Sequence, residues 1–124
     1  MAQYLVIFLG AGLGGVARFL VGGAMMARYG PGFPMGTLVV NVTGSFCIGL
    51  VMALLTERLH VDPLWRLFLV VGVLGGYTTF STFEYETYRA IHSGAGWLAF
   101  LNVAGSVILG YGAVLLGTSL AARP

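Results

Sequence analysis

Four long apolar runs follow one another along the 124 residues, at roughly 3–27, 36–56, 65–91 and 96–118. Each reaches the ~20 residues that cross ~30 Å of hydrocarbon, so the pattern predicts an all-α membrane protein with four transmembrane helices. The connections are short and carry helix breakers: Pro31-Gly32-Phe33-Pro34, Asp62-Pro63 and His92-Ser93-Gly94. This leaves room for a single four-helix transmembrane domain over 1–124 and nothing else. The third run is the anomaly. Its middle, Gly75-Gly76-Tyr77-Thr78-Thr79-Phe80-Ser81-Thr82-Phe83, holds two glycines, four serine or threonine hydroxyls and two phenylalanines at i and i+3. Non-helical backbone at membrane depth survives only when buried in protein or lining a polar cavity, and interrupted helices are where membrane proteins put ion sites. The pattern therefore predicts a third helix broken mid-membrane, beside a path for small ions.

The polar positions of the other spans fall into stripes. Thr37, Asn41 and Ser45 lie at i, i+4 and i+8, with Gly49 continuing the row, and Asn102, Ser106 and Gly110 make a matching row in the fourth span. Small and polar residues at this spacing commonly make helix–helix contacts in membranes. Asparagine asks for more, because its amide has several hydrogen-bonding sites whose neglect in hydrocarbon costs several kcal/mol. Two such residues favour a polar interior, and the Asn41 amide could donate to an anion. The rows also repeat: at an offset of 61 residues, Asn41-Val42-Thr43-Gly44-Ser45 falls on Asn102-Val103-Ala104-Gly105-Ser106, and Leu13-Gly14-Gly15 falls on Leu74-Gly75-Gly76. A two-helix unit used twice explains this better than coincidence in a glycine-rich chain.

Composition agrees with the pattern. The chain is 58% hydrophobic and 8% charged, against about 25% charged in a soluble domain. No basic region precedes the first span, so a cleaved signal peptide is not expected. Basicity comes from scattered arginines, which argues against a nucleic-acid surface. The single Cys47 excludes a disulfide framework or a cysteine metal site. Loop charge is nearly balanced, with Arg58, Arg66 and Arg123 on one side and Arg28 and Arg89 on the other. That is almost no positive-inside bias, which predicts insertion both ways up and an antiparallel dimer as the working unit; the alternative is that the N-terminal amine and flanking interactions set one orientation.

Arg18 is the strongly ionised side chain near the middle of a span. It either snorkels or attracts anions into a vestibule. The first, second and fourth spans hold no carboxylate, which argues against proton-coupled antiport. Gly10-Ala11-Gly12-Leu13-Gly14-Gly15 fits the dinucleotide pattern but lies inside an apolar span, where close helix packing explains it better. In the broken helix, Gly75 and Gly76 are expected to supply the unusual backbone angles. Ser81-Thr82-Phe83-Glu84 fits a capping box that would start the second half-helix. A helix N-terminus there suits an anion, whereas freed carbonyls suit a small hard cation. Phe80 and Phe83 share a face; their ring edges could touch an anion, or the two rings could simply pack. There is no nucleophile–base pair, and no enzymatic activity is expected.

Gly36-Thr37-Leu38-Val39-Val40-Asn41-Val42-Thr43-Gly44-Ser45-Phe46, the 75–83 segment and Gly14-Gly15-Val16-Ala17-Arg18-Phe19 together resemble the Fluc (CrcB) family of fluoride channels. The likeness extends over nearly the whole chain. It implies a dual-topology antiparallel homodimer in a bacterial inner membrane that passively exports fluoride from the cytoplasm, surrounded by lipid and with a structural Na⁺ at the dimer interface. It further implies that Gly75 and Thr78 offer backbone carbonyls to Na⁺, that Phe80 and Phe83 are pore phenylalanines, and that Asn41 binds fluoride below an aqueous vestibule containing Arg18 and Thr37. Ser81, Thr82 and Ser106 would lie along the polar track, and Glu86 matches a further family position. Asn102 and Gly110 depart from the aromatic or hydroxyl residues of some relatives. The other reading is a small dimeric multidrug-type exporter, which needs an acidic residue where this chain carries Arg18.

Overall fold

The computed structural model describes residues 1–57, 59 and 61–122. The described residues form helices: α1 (Ala2–Tyr29), α2 (Met35–Glu57), α3 (Pro63–Arg66), a wide π-helical stretch (Leu67–Leu74), α4 (Gly75–Tyr77), α5 (Phe80–His92) and α6 (Gly96–Ala122). Helix α3, the π-helical stretch, α4 and α5 follow one another as the third crossing, Pro63–His92. Four helices are thus long and apolar enough to cross a membrane, and the protein is a multi-pass membrane protein. Arg58 and Arg123, two charges in the orientation argument, lie outside the described residues.

The breakers act through specific geometry. Gly30 ends α1 at φ +70° and gives its N–H to Met26, and Gly94 turns the chain between α5 and α6 at φ +80°. A side chain is disfavoured at both angles. Asp62 caps α3 by accepting the Leu64 N–H at 2.8 Å, with Pro63 at the first helical position, where its missing N–H is not needed.

Helices pair as the internal repeat pairs them: α1 runs along the third crossing, and α2 along α6. Glycine makes both contacts close. A methyl group on Gly72 would stand 2.9 Å from the Gly10 Cα, and one on Gly76 would stand 2.9 Å from the Ala11 Cα. In the other pair, Gly49 faces the Val114 carbonyl and Gly117 faces the backbone of Phe46 and Leu50. Without a hydrophobic force between helices in lipid, such close approach is what binds them. The Gly10/Gly14 pattern is therefore a packing face. Gly14→Ala would drive a methyl against the Val73 carbonyl and to 2.7 Å from the Tyr77 nitrogen, an overpacking worth about 1–3 kcal/mol. We expect a clear drop in the temperature at which the detergent-solubilised protein loses its helical circular dichroism. Gly12→Ala, with nothing within 4 Å of the new methyl, should show none.

The break lies within the expected 75–83 segment but is shorter and does not fall on its glycines. Gly75 is helical (φ −63°, ψ −39°), and Gly75–Tyr77 is a helical turn. Only Thr78 (φ −79°, ψ 156°) and Thr79 (φ −148°, ψ 114°) are extended. Neither glycine is there for unusual angles; Gly76 allows the close approach to Ala11 of α1. The extended pair is β-branched, which suits strand-like backbone. The capping-box reading of Ser81 is also corrected: Thr79 is the N-cap, and its hydroxyl accepts from the Thr82 N–H. A helix that starts at Phe80 puts Ser81 already inside its first turn.

Candidate functional site

An extended Thr78–Thr79 pair leaves backbone groups of the third crossing without helical partners. The sequence supplies them from side chains. Thr78 gives both its N–H, at 3.0 Å, and its hydroxyl, at 2.9 Å, to the Leu74 carbonyl and so closes the end of the first half-helix. Thr79 is clamped by one amide: Asn41 Nδ2 donates to the Thr79 carbonyl at 3.0 Å, and the Thr79 N–H donates to Asn41 Oδ1 at 2.8 Å. The Asn41 side chain thus replaces a neighbouring strand. Because Thr79 gives its N–H to Asn41, the Gly75 carbonyl loses the donor that an unbroken helix would give it. Arg18 reaches the same place from α1, its Nη1 donating to the Thr78 carbonyl at 3.3 Å. It turns inward to the break instead of snorkelling to an interface.

Two concavities flank this knot. On one side lies a cavity of about 210 Å³ lined by Arg18, Thr37, Thr79, Thr82 and Glu86, with Met25, Met26 and Met35 at its apolar wall. There Thr37 Oγ1 donates to Glu86 Oε1 at 2.8 Å, while Glu86 Oε2 is shielded and without a partner. On the other side lies an open groove of about 430 Å³ whose polar and aromatic lining is Asn41, Ser45, Thr78, Phe80, Phe83 and Ser106, with Gly75 at its wall. Thr79 lines both. Thr79 is the residue common to cavity and groove, and Asn41 holds it in place.

The residues singled out in the sequence therefore divide. Arg18, Thr37, Thr82 and Glu86 meet in the cavity; Asn41, Gly75, Thr78, Phe80, Phe83 and Ser106 meet in the groove; Ser81 is exposed and lines neither. The two phenylalanine rings are 5.8 Å apart at a tilt of 42°. Phe83 is 7% exposed and Phe80 74% exposed, so one is part of the fold and the other projects from it. Ser106 Oγ is shielded and has no partner, leaving a hydroxyl donor beside the groove. Sequence reasoning gave Thr79 only a general role as a source of hydroxyls and missed Thr87, which accepts from Asn102 and donates to the Phe83 carbonyl. Thr79 could have been found from the Thr-Thr pair as the β-branched step in the segment; Thr87 leaves no such mark.

Chemically, the site offers a cationic guanidinium, several hydroxyls and ring edges, together with carbonyls freed from the helix. Among the described residues no cluster of His, Cys, Asp or Glu could hold a metal ion through side chains. Backbone oxygen is the other possible ligand: the Gly75 carbonyl has lost its helical donor, and the Thr78 carbonyl carries a second lone pair beyond the Arg18 contact. Hard oxygens of this type fit a small alkali cation.

Comparison with known proteins narrows the reading. The family model described as CrcB-like protein, Camphor Resistance (CrcB), matches residues 5–118. The chain is 60% identical over 121 residues to the fluoride-specific ion channel FluC of Solibacter usitatus, covering 98% of this chain and 99% of that one. It is 47% identical to the FluC of Acidobacterium capsulatum over 93% of this chain and 92% of the relative. To the FluC of Hydrogenovibrio crunogenus it is 46% identical, over 93% and 87%. With the break, the glycine-packed helix pairs and a match running through all four crossings, the chain belongs to the CrcB family.

Proposed function

We propose that the protein is a fluoride-selective channel that passively releases fluoride from the bacterial cytoplasm, like the FluC relatives it resembles. The observation that carries the reading is the Asn41–Thr79 clamp, which opens the third crossing between an arginine-bearing cavity and an aromatic groove. A cell in acidic surroundings gathers fluoride because neutral HF enters and dissociates inside. The negative membrane potential then drives the anion out through any path that admits it. Arg18, on the Thr78 carbonyl, attracts an anion toward the break, against the Glu86 carboxyl that shares the cavity. Threonine hydroxyls replace part of the lost hydration, and the shielded Ser106 hydroxyl and the edges of Phe80 and Phe83 continue the donor row in the groove. Chloride is larger and gains less from the same narrow contacts. No covalent chemistry is required.

The working unit in this reading is an antiparallel homodimer. A groove holding the loosened Gly75 backbone and the largely exposed Phe80 cannot face lipid, since open polar backbone is not tolerated there. A second copy inserted the other way up would cover it, with the remaining apolar faces of α1 and α6 left to lipid. The Gly75 and Thr78 carbonyls would hold Na⁺ at this interface, and Na⁺ there would add the positive charge that ties two such surfaces together. The test is fluoride release from proteoliposomes under a K⁺/valinomycin potential, read with a fluoride electrode. We expect rapid release without a proton gradient and negligible release of chloride. Release that needs a proton gradient, or that carries chloride equally, overturns the proposal.

A further inference from the structure

Helix α5 carries Phe80 at its start and Phe83 one turn later, yet it has little apolar grip on its neighbours. Phe83 is its one buried side chain. Polar ties therefore carry much of the work of setting its rotation about its own axis. From α2 comes the Thr37–Glu86 bond at 2.8 Å, and the Asn41 clamp holds the residue just before the helix. From α6 comes one side-chain bond among the described residues: Asn102 Nδ2 donates to Thr87 Oγ1 at 3.0 Å. Thr87 in turn donates to the Phe83 carbonyl at 2.9 Å.

The network fixes which way the Asn102 amide points. Thr87 has one hydroxyl hydrogen, and it goes to the Phe83 carbonyl, so Thr87 can only accept from Asn102. With the Thr87 hydroxyl on the Phe83 carbonyl, the amide nitrogen of Asn102 faces Thr87 and the oxygen faces away. Asn102 is 1% exposed, and its Oδ1 is shielded without a partner. It thus turns an acceptor, not a donor, to its remaining surroundings, which disqualifies that atom as an anion ligand. Burying such a side chain is costly, and the bond it does make lands on the residue that braces Phe83.

We propose that Asn102 is a positioning residue: by tying Thr87, one turn beyond Phe83 on the same helix, to α6, it sets the rotation of α5 and with it the placement of the Phe83 ring in the groove. The proposal rests on the fluoride-channel reading for its functional consequence. Without the tie, α5 turns more freely, Phe83 leaves its place, and the groove loses both rate and discrimination.

Asn102→Leu and Thr87→Val each remove the bond while keeping the branching and the number of side-chain heavy atoms. We expect each to slow fluoride release from proteoliposomes about tenfold, and the double variant to be no slower than either single, because both act through one bond. The ratio of fluoride to chloride release should fall in all three, whereas simple loss of folded protein would leave the ratio alone. Thr87→Ser keeps the hydroxyl and should retain the wild-type rate and ratio. In parallel, amide hydrogen exchange in detergent should quicken across 83–90 in both single variants and not in Thr87→Ser. Multiplying effects in the double variant, an unchanged ratio, or unchanged exchange would each overturn the proposal. If the wild-type protein releases no fluoride at all, the channel reading fails by itself, and the exchange comparison still decides whether Asn102 positions α5.

Discussion

Replacing Asn41 by aspartate is expected to bring fluoride release from proteoliposomes down to the leak of protein-free vesicles. The change removes one atom's worth of chemistry. Oδ1 still accepts the Thr79 N–H, but the group that donated to the Thr79 carbonyl becomes a second acceptor facing it. One buried bond is lost and the carbonyl is left unpaired, which costs about 1–3 kcal/mol. The larger effect is electrostatic. A carboxylate at the wall shared by cavity and groove would repel an anion passing about 4 Å away by about 4 kcal/mol at an effective dielectric of 20. That is roughly three orders of magnitude in rate. Asn41→Leu separates the terms, since it loses both bonds to Thr79 without adding charge. It should lower the thermal midpoint and still leave more release than the aspartate variant. A folded Asn41→Asp protein, helical and monodisperse in detergent, that releases fluoride at the wild-type rate would remove Asn41 from the path.

The same residue shows how far the sequence could be read. That Asn41 needed polar company followed from its place on an apolar helix. That its company is the backbone of Thr79 did not, because the pairing exists only once α2 lies against the third crossing. The four crossings were legible from run length alone, and their ends differ by a few residues from expectation where Gly30 and Asp62 set the boundary. The break was legible in the right segment, but its cause lies in Thr78 and Thr79 instead of Gly75 and Gly76. Glycine serves two purposes, strained angles and close approach, and a single sequence cannot tell them apart; only the contact of Gly76 with Ala11 decides. Threonines, read as spare hydroxyls, turned out to be the break itself. Ser81 and Thr82 could not be ranked from spacing. One residue of register around a helix beginning at Phe80 leaves Ser81 exposed and turns Thr82 to the cavity.

Phe80 offers the cleanest separation of function from folding. Its ring is 74% exposed in the single chain, while Phe83 is 7% exposed. Truncating Phe83 would remove a packed aromatic, and any loss of transport would be mixed with several kcal/mol of lost packing. Phe80→Ile keeps most of the bulk at a position exposed in the single chain, so the fold of each copy should change in stability by no more than about 0.5 kcal/mol. What it deletes is the quadrupole: isoleucine has no positive ring edge to offer an anion. If the ring acts only by filling space between two copies, isoleucine should serve nearly as well. If its edge meets the anion, fluoride release should fall by at least about tenfold, which is 1.4 kcal/mol of lost contact. The thermal midpoint and the dimer fraction on gel filtration should stay put. We expect the second outcome. The Phe80 ring is exposed in the single chain and lines the groove beside Phe83, 5.8 Å away. Wild-type release from the isoleucine variant would assign Phe80 to the dimer contact alone and leave Ser106 and the threonine hydroxyls as the donors in the groove.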